Sequence, residues 1–162
     1  MNAPTDLRKL VVYDVLEAIG SAIPSSGAGI AAALALALGT SCALKAVNVT
    51  LKHAEDDQLG QSGARLLAHR DRALDLARID AELYRRFLKE GEPRDAAKLV
   101  RTAEDFQLLA RDIAVELDGL TDRVRGSMAA DVAAAQLLHS AAVAIEALIL
   151  QDNRELRART MP

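Results

Sequence analysis

Apolar residues recur at three- and four-residue steps along most of the chain, the period of an α-helix. Thr5 can cap a first helix carrying Leu7, Leu10, Val11, Val15 and Ile19, which Gly20 ends. Ser21 to Gly29 reads as a loop, and a second helix is expected from about Ala28 to Lys52. This second segment is a run of Ala and Leu with no charge before Lys45. Its apolar residues cover the whole circumference, which predicts a helix buried on all sides. The polar, glycine-containing stretch from Ala54 to Gly63 reads as a break, followed by a third helix over Ala64 to Glu90. Its stripe runs through Leu66, Ala73, Ala77, Asp80, Tyr84 and Phe87, so a carboxylate lies on the face to be buried. Gly91, Glu92 and Pro93 mark a turn before a fourth helix, Arg94 to Arg125, whose opposite face is densely charged and solvated. Gly126 and Ser127 interrupt the chain again. A fifth helix starts near Met128 with a stripe of Asp131, Ala135, Leu138, Ala142, Ile145 and Ile149, and the charged tail from Asn153 to Pro162 is expected to fray.

The pattern therefore predicts an all-α bundle of about five helices, in one domain spanning residues 1–162. Composition sharpens this. Hydrophobic residues make up 51% but aromatics only 2%, so the core must be closely packed Ala, Leu, Val and Ile. Five helices barely cover a second helix that is apolar all round, which predicts a homodimer. A net charge of -3, with no basic block and no aromatic platform, argues against a nucleic-acid partner. Ala28 to Leu44 is the only membrane candidate, and it is short, Ala-rich and interrupted by Gly39, Thr40 and Ser41. It reads as the core helix of a soluble protein, with no membrane partner. The N-terminus lacks a signal-peptide layout, and the lone Cys42 reads as a small buried hydrophobe; a cytoplasmic location is expected.

Candidate chemistry is sparse. Ser25, Ser26, Gly27, Ala28 and Gly29 form a small-residue loop at the start of an apolar helix. Free N–H groups and the helix dipole favour a negative group there, although a plain tight turn has the same composition. Asp80 is either satisfied by an arginine such as Arg78 or Arg85, or by solvent, or is a site acid. Asp131 is either a helix-start acid or a site residue. His139, Glu146 and Asn153 share a face at intervals of seven, but no ligand spacing supports a metal, and a structural His–Glu contact or a polar surface fits as well. No phosphate-binding glycine loop with lysine, dinucleotide fingerprint or cysteine nucleophile with a partner occurs.

The residues Pro24, Gly27, Gly29, Ala32, Ala33, Leu34, Ala35, Ala37, Leu38 and Gly39, followed by Asn48 and Thr50, fit the pattern P-x-x-G-x-G-x-x-A-A-L-A-x-A-L-G and N-x-T. This resembles the formiminotetrahydrofolate cyclodeaminase / methenyltetrahydrofolate cyclohydrolase family. Asp131-Val132 and the Ala-rich helix after it resemble that family's S-D-x-G-V-A-A block, Asn153 falls where N-V-x-x-N ends, and Ile79 to Tyr84 loosely resembles its Asp-x-x-Ala-(Tyr/Phe) segment. Departures are Ser26 for the second proline, Ala28 for the middle glycine, Ile30 for a serine, Lys45 for a methionine, Ala130 for a serine and Ile149 for the first asparagine.

The resemblance implies a dimeric cyclodeaminase-like bundle acting in one-carbon metabolism. It would hydrolyse a methenyl-tetrahydropterin, on tetrahydrofolate or tetrahydromethanopterin, or deaminate a formimino-tetrahydrofolate. No cofactor is implied beyond that reduced pterin substrate. Asp131 is the first expectation for the proton-transferring carboxylate and Asp80 the second. Ser25 to Gly29 would approach the pterin, Lys45, Asn48 and Lys52, which share a face, would hold a glutamyl tail, and Thr50 and Asn153 would contact substrate. A catalytically inactive relative that binds a one-carbon carrier or a protein is the alternative, and a purely structural bundle is a third reading.

Overall fold

The computed structural model describes residues 12–22, 26–124 and 126–160. Thr5, Leu7, Leu10, Val11, Ser25 and Arg125 lie outside them. Five α-helices make up the described chain: α1 (Val12–Gly20), α2 (Gly27–Leu51), α3 (Asp57–Glu90), α4 (Pro93–Leu120) and α5 (Ala129–Thr160). A short 3-10 turn, Gly126–Met128, leads into α5, and no strand occurs among the described residues.

The last four helices form a ring in which each packs on the next and α5 closes back on α2; α1 rests on α2. Short connections make neighbours antiparallel. Asp80 on α3 meets Ser26 before α2, while Gly63 on α3 meets Val47 near the other end of α2. The main core joins Leu36, Val47, Leu66, Leu76, Phe106, Ile113, Leu117 and Ala135. Small residues set the spacing. A Cβ on Gly39 would lie 2.9 Å from the Ala135 carbonyl oxygen and 3.1 Å from Leu138 Cβ, so α2 and α5 touch at backbone distance there.

Three boundaries differ from the pattern-based expectation. Helix α3 starts at Asp57 rather than Ala64, because Asp56 caps it by accepting from the Leu59 N–H at 2.9 Å. At its other end Gly91, at φ 67°, takes the left-handed cap position. Helix α4 ends at Leu120, short of Arg125. Helix α5 continues to Thr160, because buried Asn153 donates to the Leu99 carbonyl at 3.4 Å and Arg154 pairs with Glu104 at 3.1 Å.

Nor is α2 buried on every side. It is covered by α3 and α5, but Leu38 is 58% exposed and Lys45 and Asn48 face out. Beside it, the outer face of α5 is apolar and exposed through Ala130, Ala133, Leu137, Ala141, Ala144 and Leu148. By length and composition α2 and Gly126–Thr160 could each cross a membrane; most of the apolar stretch of α2 is buried within the bundle, and little of that of α5 is.

Candidate active site

One cleft, of about 250 Å³, lies where the start of α2, the last third of α3 and the last third of α5 converge. Ser26, Gly27, Ala28 and Gly29 form one wall, Asp80 and Tyr84 a second, and Ile149, Asp152, Asn153 and Leu156 the third.

Its centre is a serine–carboxylate contact. Ser26 is the N-cap of α2, yet its side chain makes no capping hydrogen bond. The hydroxyl donates to Asp80 Oδ2 instead. The first N–H groups of α2 are thus left without their usual side-chain acceptor, at the positive end of the helix dipole. Gly29 allows this arrangement: a Cβ there would stand 2.5 Å from Ser26 Oγ and 2.7 Å from Asp80 Oδ2. Gly27 has no such reason, since a Cβ would meet Ile19 only at ordinary distance, and Ala28 is exposed.

Asp80 is buried. Burial pushes its carboxyl above the usual carboxylate range, and the Ser26 hydrogen bond pulls it part of the way back. Its partner is therefore a hydroxyl rather than an arginine; Arg78 pairs with Glu82 at 3.1 Å. A second buried carboxyl, Glu146 on α5, is pushed up to about 8, first by its own burial and then by the charge of Asp80. Two like carboxyls in one electrostatic environment do not both ionise readily, so a proton is retained near neutral pH.

The other expected site residues lie elsewhere. Asp131 is not at the glycine loop of its own chain. It pairs with Lys45 at 3.2 Å, and Lys45 stands about 27 Å along α2 from Gly27 at roughly 1.5 Å per residue. The antiparallel run of α5 against α2 causes this: the start of α5 must meet the end of α2. Lys45, Asn48 and Lys52 do gather, with Arg70, around a separate groove of about 650 Å³. Thr50 does not line it, and its hydroxyl donates to the Ala46 carbonyl at 2.8 Å. Asn153 lines the cleft while holding α4 through Leu99. His139 and Glu146 do share a face, but His139 Nε2 donates to the Ala110 carbonyl at 2.7 Å. Asn153 and Asp80 were visible on their stripes. Glu146, expected as a structural contact of His139 or part of a polar surface, is instead buried on the inward face, four residues after buried Ala142 and seven before Asn153.

A family model described as formiminotransferase-cyclodeaminase matches residues 11–117. Among solved structures, formiminotetrahydrofolate cyclodeaminase from Thermotoga maritima is similar to this chain with a TM-score of 0.85. The likeness covers 96% of this chain and 86% of that one, at 18% sequence identity. No curated protein matches.

Proposed function

Because the chain belongs to the formiminotransferase-cyclodeaminase family, we propose that it acts on a one-carbon unit carried by a reduced pterin, with Asp80 as the group that moves the proton. The observation that carries this reading is the Ser26–Asp80 contact, fitted over Gly29 at the bare end of α2. Opening a methenyl bridge with water requires a base for the water proton. Closing a formimino group and releasing ammonia requires an acid for the leaving nitrogen. A buried carboxyl with its affinity for protons raised suits both, because it is a stronger base as carboxylate and still a proton donor as carboxyl. In the hydrolytic direction the Asp80 carboxylate accepts a proton as water oxygen bonds to the bridge carbon, and returns it to ring nitrogen as the carbon–nitrogen bond breaks. The N–H groups at the start of α2 hold the oxygen-bearing tetrahedral carbon or the pterin carbonyl. A cleft of about 250 Å³ takes the bicyclic head, with Tyr84 as an apolar wall, and leaves the tail outside.

A second copy of the chain completes this reading. The exposed stripes of α2 and α5 flank each other and centre near Leu38 and Leu137. An isologous pairing about that centre buries both. It also turns the far end of the second copy's α2, with Lys45, Asn48, Lys52 and Asp131, toward this copy's cleft. There the basic groove suits the carboxylates of a glutamyl tail.

A non-catalytic carrier-binding protein is the second reading. It is favoured by Ile149, which lines the cleft where the family pattern has an amide. The test is turnover of 5,10-methenyltetrahydrofolate, its tetrahydromethanopterin analogue and formiminotetrahydrofolate, followed by near-UV absorbance, beside Asp80→Asn. Turnover that falls about 100-fold or more in the variant is expected for a lost acid–base group. Ligand binding without turnover would establish the second reading, and turnover indifferent to Asp80→Asn would remove Asp80 from the chemistry.

A further inference from the structure

Glu146 has no role in the reading above, yet it is only 4% exposed and makes no ion pair or hydrogen bond among the described residues. One stripe of α5 runs through His139, Val143, Glu146, Ile149 and Asn153. His139 and Val143 face a second cavity, of about 280 Å³, shared with Phe106, Ala110 and Ala114 of α4. Ile149 and Asn153 face the cleft of Asp80. Glu146 sits at the junction: it lines the second cavity and feels the charge of Asp80 on the other side.

We propose that Glu146 is the positioning partner of Asp80, a relay that stores one proton for the site carboxyl and exchanges it with solvent through the α4–α5 cavity, away from the substrate cleft. This rests on the reading of Asp80 as the proton-transferring group. When Asp80 receives a proton from the cleft, the pair holds two, and Glu146 releases its own into the second cavity as its carboxyl becomes carboxylate. When Asp80 gives a proton to a leaving nitrogen, the Glu146 carboxyl reprotonates Asp80 and is itself refilled from water. No other co-reactant is needed. The pair can then recharge while a ligand plugs the cleft.

The charged and titratable groups around Glu146 fit this path. From α3 it meets Asp80, with Tyr84 in the adjoining cleft. From α4, Arg111 lines the same cavity as an exposed cation. On α5 itself stand His139, whose Nε2 is committed to the Ala110 carbonyl, and Asp152 in the cleft. Helix α2 brings no charged side chain between Gly27 and Lys45.

The test reads protons directly and needs no turnover. Asp and Glu are labelled with carboxyl carbon-13 in the full chain and titrated by NMR, in wild type, Asp80→Asn, Glu146→Gln and Glu146→Asp. Wild-type Glu146 is expected to titrate near 8. Asp80→Asn should bring that midpoint down, while Glu146→Gln and Glu146→Asp should both leave the Asp80 carboxyl raised by its own burial. Ala114→Phe, which fills the second cavity, should slow exchange at Glu146 enough to broaden its resonance near the midpoint. A Glu146 midpoint that ignores Asp80→Asn would overturn the pairing, and unaltered exchange in Ala114→Phe would overturn the route. Lack of turnover in the wild type would count against the proposed activity and would leave these titrations to decide the relay.

Discussion

At the scale of single residues, the site depends on one serine doing an unusual job. An N-cap serine ordinarily stabilises its helix by about 1 kcal/mol, and Ser26 gives its hydroxyl to Asp80 instead. Gly29 leaves the room. Gly29→Ala should push Ser26 and Asp80 apart, raise the Asp80 carboxyl further, and leave the helical content unchanged; circular dichroism beside the carboxyl titration checks this. Glu146 yields a stability prediction with a definite sign. Its folded-state proton affinity is raised from 4.5 to about 8, so the folded chain binds more protons than the unfolded one between those values. The stability it contributes is fully present below about pH 4.5 and is lost as pH rises to about 8, with a slope that can approach 1.4 kcal/mol per unit. Glu146→Gln removes that loss. Urea midpoints of variant and wild type should therefore diverge in the variant's favour from about pH 5 to pH 8. The carboxyl on α3 was legible because Asp80 falls in step with Leu66, Ala73 and Ala77. Glu146 was not, because its partner is sixty-six positions away in sequence and nothing local announces the encounter.

At the scale of helices, close approach replaces bulky side chains. At Gly39 there is no room for a Cβ between α2 and Ala135 and Leu138 of α5. Gly39→Ala should gain about 1 kcal/mol of helix propensity and lose about 1–3 kcal/mol through overpacking. The expected net result is a lower urea midpoint with the helices displaced. Period and composition foretold every described helix, since apolar stripes and Gly/Pro breaks are local signals. Boundaries were read less well, because what extends α3 and α5 is a side chain bonding to backbone, such as Asp56 to Leu59 or Asn153 to Leu99. Polar composition at those ends resembled a loop. Asp131 shows the larger gap: a helix-start acid was evident from sequence, but only the antiparallel pairing of α5 on α2 sets it beside Lys45 rather than Gly27.

At the scale of the whole molecule, the ring of four helices leaves α2 and α5 with a shared apolar outer face. If the proposed homodimer covers that face, sedimentation should report about twice the 17.3 kDa chain mass. Charged residues at its centre, as in Leu38→Glu with Leu137→Glu, should return the mass to one chain. Complementation asks more of the dimer. If each site draws Asp80 from one copy and Asp131 from the other, a mixture of inactive Asp80→Asn and Asp131→Asn chains should recover about a quarter of wild-type turnover after random pairing. No recovery, with Asp131→Asn active alone, would confine Asp131 to its ion pair with Lys45.

The most direct test of the account is the pH dependence of kcat/KM for one-carbon turnover in wild type and Ser26→Ala. Removing the hydroxyl takes away the one contact that lowers the Asp80 carboxyl, so the limb on which activity rises with pH should move to higher pH, with the slope retained. A limb that stays where it was in the wild type would show that the proton passes through some other group, and the site built around Ser26, Gly29 and Asp80 would not be the seat of the chemistry.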